Sequence, residues 1–200
     1  ENGFVGVKEQ LQLPKPVSLY GETKLKSEEV IKDSNIPYII LRMGTLFGLS
    51  PRMRFDLAIN LFIAKAIKKE KIMVFGGDQH RPFLHVQDAA DAFVTFLDKD
   101  EKGIFNISLD NYKIIKVAKI ISDYFKSELE LSQKIIDRRD YKVLTKKIRN
   151  IGFEPKQTIK DAIIEIENSF RQGSIVDYNL SQYSNYKALF TDEELQKKVW

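Results

Sequence analysis

Tyr20 and Lys24 stand four residues apart in PVSLYGETKLKSEEV, the stretch from Pro16 to Val30. In a helix this spacing puts both side chains on one face, a turn apart. A free phenol ionises near pH ~10, too high for a base at neutral pH. A neighbouring ammonium favours the phenolate, which can then take the proton of a sugar or alcohol hydroxyl. Both residue types are common, so the same spacing also describes two ordinary side chains on a wet helix.

The surrounding pattern supplies that helix. Ser18 is a good N-cap, and strong helix formers follow to about Asp33, before Pro37 stops the run. Tyr38 to Leu41 is a continuous apolar stretch rich in β formers, the signature of a strand covered on both faces. A second helix is expected from about Phe55 to Lys69, then a short strand KIMVF, a loop GGDQHRPF and a short extended piece LHV. Helical stripes recur at Ala89–Leu97, Ile114–Phe125 and Ile159–Phe170, with a strand GIFNIS between the first two. The polar, tyrosine-rich end offers one more short helix, TDEELQKKVW. Helices alternating with buried-looking strands give an α/β protein. Only Tyr38–Leu41 and Gly103–Ile107 read as members of a parallel sheet, and two strands do not make a stable doubly wound sheet.

The composition excludes several classes. The 32 basic and 28 acidic side chains are mixed along the chain, so a pI near 9.0 reflects a solvated mixed-charge surface rather than a nucleic-acid arm. There is no cysteine, hence no disulfide framework and no thiolate metal site, which fits a reducing cytoplasm. No apolar run approaches the ~20 residues that span a bilayer. His80 and His85 are the only histidines, and their spacing is not that of metal ligands. His85 reads as a structural hydrogen-bonder, and Asp88 as a residue that caps or begins the next helix. Asn60 is the one polar residue in LAINLFIA. Placed mid-helix, its amide needs a partner or carries a cost of ~1–3 kcal/mol.

PVSLYGETKLKSEE is similar to the P-x-S-x-Y-G-x-S/T-K-x-x-x-E stretch of the extended short-chain dehydrogenase/reductases, the NAD-dependent nucleotide-sugar epimerases and dehydratases. YIILRMGTLFG resembles their L-R-x-x-x-x-Y/F-G segment, and HRPFLHVQDAADAF their R-x-Y/F-x-H-V-x-D-x-A-x-A segment. DRRDYKVLTKKIRNIGFEPK resembles the D-x-R-x-Y … K-I-x-x-L-G-F-x-P ending of the substrate domain. The four segments come in the family's order and cover roughly residues 14 to 173.

The resemblance implies an enzyme acting on a nucleoside-diphosphate sugar through a 4-keto intermediate, with NAD (or NADP) as hydride carrier. Tyr20 and Lys24 would be the catalytic couple, lying beside the nicotinamide with Met43 and Gly44. Thr45 stands where relatives often have an asparagine; it also reads as a β-branched residue ending a strand. Asn60 and Arg81 match diphosphate contacts, since a guanidinium offers phosphate a planar fork of donors. Arg139, beside Arg138, matches a second nucleotide contact. Phe75 matches an aromatic that packs on the base, or it belongs to the core. The implied fold is the C-terminal part of a Rossmann-type doubly wound sheet (1–44 and 86–107), a smaller α/β substrate-binding domain (45–85 and 108–173) and an extension (174–200). The family's Gly-x-x-Gly-x-x-Gly turn and its catalytic Ser/Thr are not in this sequence, and Ser18 does not take that role. The stretch therefore reads as the C-terminal two-thirds of an enzyme, inactive by itself. A homodimer using the helix from Ser18 is implied, with no membrane or nucleic-acid partner. A redox-inactive sugar-nucleotide-binding or assembly module is the alternative.

Overall fold

A computed structural model describes residues 16, 18–97, 99–132 and 140–191, with side chains to 188. Ser18 caps the first helix, α1 (Leu19–Asp33), accepting the Gly21 N–H at 3.2 Å. No residue of α1 is buried. The apolar strand β1 (Ile39–Met43) pairs in parallel with β5 (Gly103–Ile107), as the two continuous runs suggested. They form one of three small sheets among the described residues.

The second sheet was only partly legible. After β1 the chain passes through Gly44 into β2 (Thr45–Phe47), so Thr45 begins a strand rather than ending one. β2 runs parallel to β4 (His80–His85), which pairs on its other side with antiparallel β6 (Asp110–Lys113). The residues expected as the loop GGDQHRPF thus contribute His80–Phe83 to a central strand. Pro82 masked it, because proline donates nothing to a ladder. Pairing with β2 begins one residue later, at Phe83, so that ladder loses no donor. The third sheet joins β3 (Ile72–Phe75) and β7 (Leu129–Ser132) in parallel.

Alternation along β2 and β4 separates two cores. Leu46 and Leu84 face a core with Phe105, Ile107 and the α3 (Val86–Leu97) residues Ala89, Ala92 and Phe96. Phe47 and Phe83 face the larger core of α2 (Ala58–Ile67), α4 (Ile114–Phe125) and α6 (Ile159–Arg171). Ile148, from the short helix α5 (Lys146–Asn150), and Phe153 pack in the first core, although the sequence division assigns 108–173 to the other unit. The end of the described chain forms a 3-10 turn (Ser181–Tyr183) and α7 (Asn185–Thr191); apart from Thr191, the expected helix TDEELQKKVW lies outside the described residues.

Candidate functional site

Tyr20 is 71% exposed, and the Lys24 ammonium lies 5.5 Å from the centre of its ring. The spacing therefore delivers the expected pair. Glu28 continues the same stripe one turn on. Its carboxylate meets the Arg42 guanidinium of β1 at two points, Nε to Oε1 at 2.7 Å and Nη2 to Oε2 at 2.6 Å. This pair ties α1 to β1 next to Met43, while Tyr20 and Lys24 themselves stay exposed.

Met43 is 36% exposed at the end of the strand. Gly44 is buried, and its N–H is committed to the Ile107 carbonyl at 2.8 Å. A Cβ on Gly44 would stand 2.9 Å from the Pro82 carbonyl carbon and oxygen. Its lack of a side chain is accounted for by the close approach of β4, where the chain switches from one sheet to the next.

Asn60 lies in the first turn of α2, since that helix starts at Ala58 and not at Phe55. Both ends of its buried amide are used. Oδ1 accepts the Gly48 N–H at 3.0 Å, and Nδ2 donates to the Arg54 carbonyl at 3.1 Å. The expected partner of this lone polar residue is therefore the backbone of the loop after β2. Glu165 of α6 holds the same loop: its Oε1 accepts the Leu49 N–H at 2.5 Å and meets His85 Nε2 at 2.9 Å. The Gln87 N–H donates to His85 Nδ1 at 3.1 Å, which fixes the tautomer with hydrogen on Nε2. His85 is a buried structural hydrogen-bonder, as its sequence context suggested. Asp88 sits in the first turn of α3, but its buried carboxylate does not cap that helix. It accepts the Lys156 and Gln157 N–H groups at 2.8 and 2.9 Å, just ahead of α6.

Phe75 is 43% exposed, whereas Ile72 and Val74 of the same strand are fully buried. It lies outside the core of buried residues. The Gln79 amide closes the turn behind it, donating to the Phe75 carbonyl at 2.9 Å and accepting the Gly77 N–H at 2.6 Å. Arg81 is only 7% exposed, and its guanidinium lies over the Tyr141 ring at 5.3 Å. Its Nη1 donates to the His80 carbonyl at 2.7 Å. Asp140 Oδ1 accepts the His80 N–H at 2.7 Å and lies 3.1 Å from His80 Nδ1. The His80 backbone N–H, then its ring and the Arg81 charge, hold the Asp140 carboxyl below the usual carboxylate range. Arg139 lies outside the described residues. Asp140, Tyr141, Glu28 and Glu165 were not singled out from sequence; the first two stand in the DRRDY motif, and Glu28 follows Lys24 by one helical turn.

A cavity of about 630 Å³ opens between the loop after β2 and α6, lined by Ser50, Met53, Asn168, Gln172 and Tyr183 among others. None of the sequence-derived site residues lines it.

Residues 5–108 match the NAD dependent epimerase/dehydratase family. The chain belongs to that family. Among its relatives is dTDP-L-rhamnose 4-epimerase of Burkholderia thailandensis, 27% identical over 80% of this chain and 48% of that protein. The methionine adenosyltransferase 2 subunit beta of Bos taurus is 31% identical over 48% of this chain and 30% of that protein. The structure of dTDP-glucose 4,6-dehydratase from Bacillus anthracis in complex with NAD superposes with a TM-score of 0.73 at 22% identity, covering 88% of this chain and 59% of that one. This last likeness establishes the shared α/β fold. The chain spans about half or less of the length of these curated relatives. Among the described residues, no helix of this epimerase/dehydratase family member is long and apolar enough to cross a membrane.

Proposed function

We propose that this chain is the sugar-nucleotide-facing part of an epimerase, dehydratase or reductase that acts on a nucleoside-diphosphate sugar with NAD or NADP. The observation that carries the reading is the Tyr20–Lys24 pair, on the helix that Glu28 ties to Arg42 of β1 and inside the span matched to the family. The phenolate oxygen of Tyr20 takes the proton of the sugar hydroxyl, and the Lys24 ammonium holds the phenolate. NAD, when bound, supplies the acceptor for the hydride that leaves the same carbon, so that the alcohol becomes a ketone. The carboxyl ends of parallel strands are where ligands of such folds bind, and Met43 stands at that end of β1. With its N–H engaged, Gly44 serves by letting β4 approach.

Phe75 offers a ring to the base, and Arg81 with Arg139 offers guanidinium groups to the diphosphate. Thr45 keeps a hydroxyl near the end of β1. Asn60 acts on substrate through the loop it holds. In this reading residues 1–44 and 86–107 form the cofactor side, and 45–85 and 108–173 the sugar side. A homodimer through α1 belongs to it too, supported by the exposure of Leu19 and Val30, 75% and 70%.

The test is Tyr20→Phe in the intact enzyme, followed by nicotinamide absorbance in a single turnover. Loss of the base slows the chemical step by at least ~10². Hydride transfer at near wild-type speed rejects the assignment. A second reading, a redox-inactive assembly or sugar-nucleotide-binding module, is favoured by the relative that is named as a subunit of a methionine adenosyltransferase. Sugar-nucleotide binding without hydride transfer in wild-type protein saturated with NAD or NADP would select it.

A further inference from the structure

We propose that Tyr141 and Asp140 are positioning residues that fix the Arg81 guanidinium as a diphosphate-binding group. The inference rests on the reading of Arg81 as a ligand of the sugar nucleotide. Six contacts build the device. The Arg81 guanidinium carbon lies over the Tyr141 ring, 5.3 Å from its centre. The His80 carbonyl accepts both Arg81 Nη1, at 2.7 Å, and the Tyr141 N–H, at 3.4 Å. Asp140 anchors the backbone of the same histidine through the 2.7 Å bond from its N–H. Two residues on, the Asn111 amide pairs with the Val143 backbone in both directions, accepting its N–H at 2.9 Å and donating to its carbonyl at 3.0 Å.

The segment 140–143 is thus strapped across β4 and β6 at both ends, with Tyr141 between the anchors. Asn111 stands opposite Pro82, and Tyr112 opposite Arg81, in the antiparallel register, so the strap is tied to the strand partner of Arg81 itself. An unrestrained arginine loses much rotamer freedom when it binds phosphate. A cation–π contact with a fixed ring and a bond to a fixed carbonyl remove that freedom before the ligand arrives, which strengthens binding without a new contact. The Asp140 carboxylate also balances the positive charge of a guanidinium that is nearly withdrawn from water.

The experiment is calorimetric titration of the whole chain with UDP and with dTDP, for wild type, Tyr141→Phe, Tyr141→Leu, Arg81→Lys and the Arg81→Lys/Tyr141→Leu pair. Thermal melting monitors the fold of each. Tyr141→Phe keeps the ring and is expected to bind like wild type. Tyr141→Leu is expected to weaken the tighter of the two nucleotides by about tenfold. That loss should vanish in the Arg81→Lys background, a result that a merely structural role for Tyr141 does not produce. If Arg81→Lys weakens binding and Tyr141→Leu does not, the positioning role falls while the proposed function stands. A Tyr141→Leu loss that persists with Arg81→Lys also overturns it, since Tyr141 then acts by another route. An unchanged affinity in Arg81→Lys removes Arg81 from the site and overturns the positioning role alone, whereas the absence of binding by either nucleotide overturns the proposed function as well.

Discussion

Glu28 and Arg42 meet through two charge-assisted hydrogen bonds of 2.7 and 2.6 Å, and this pair docks a helix that buries none of its own residues. Arg42 Nη1 is buried without a partner among the described residues, so the guanidinium is committed to Glu28 by its other edge. Arg42→Met should therefore loosen α1 locally and leave the larger core intact. Hydrogen exchange of residues 19–33 is expected to rise at least about tenfold, with α4 unchanged. Equal protection of α1 in mutant and wild type would show that the pair does not dock it.

Asn60→Leu removes the acceptor of the Gly48 N–H and the donor to the Arg54 carbonyl. Leaving such groups unpaired costs ~1–3 kcal/mol. Urea denaturation should show that loss, and loop 48–54 should become more susceptible to proteolysis. A normal urea midpoint combined with weakened UDP or dTDP binding would instead make Asn60 a direct ligand contact.

Gly48 has φ +102°, and a Cβ there would come within 2.3 Å of His85 Nε2. Gly48→Ala thus combines backbone strain with displacement of the imidazole that Glu165 holds. A loss of at least ~2 kcal/mol is expected by chemical denaturation. A wild-type midpoint would mean that the loop has room to move, contrary to the contacts described.

Asp161 completes a capping box with Thr158 at the start of α6, and the Thr158 hydroxyl and N–H hold its carboxyl below the usual range. Asp140 is lowered by His80 in the same direction. A depressed carboxyl contributes stability above its unfolded pKa of ~3.9 and loses that contribution as pH falls through the folded value. Asp161→Ala should consequently be less stable than wild type at about pH 6, with the difference fading below about pH 3. A gap between the urea midpoints that does not shrink on acidification would rule out the ionised cap as its source.

What the sequence determined by itself was local. The spacing of Tyr20 and Lys24 fixes their shared face because helical period is set by the backbone, and the structure keeps them 5.5 Å apart. The apolar runs of β1 and β5 announced a parallel pair, although β1 is only half-buried and not covered on both faces as its run suggested. The helical stripes at Ala89–Leu97, Ile114–Phe125 and Ile159–Phe170 hold because of the same backbone period. Short polar strands left no such trace: β6 reads DNYK, and β4 contains a proline.

Only the tertiary structure decided which polar side chain meets which backbone. Asn60 answers a glycine twelve residues away, Asp88 two N–H groups almost seventy residues away, and Glu165 a loop on the far side of the sequence. No periodicity encodes such partners, because they exist only once separate elements have packed and each buried polar group must find a donor or acceptor. The same holds for Arg81: the sequence suggests a phosphate ligand, whereas the ring beneath it and the strap that holds that ring arise from the chain folding back at residues 140–143.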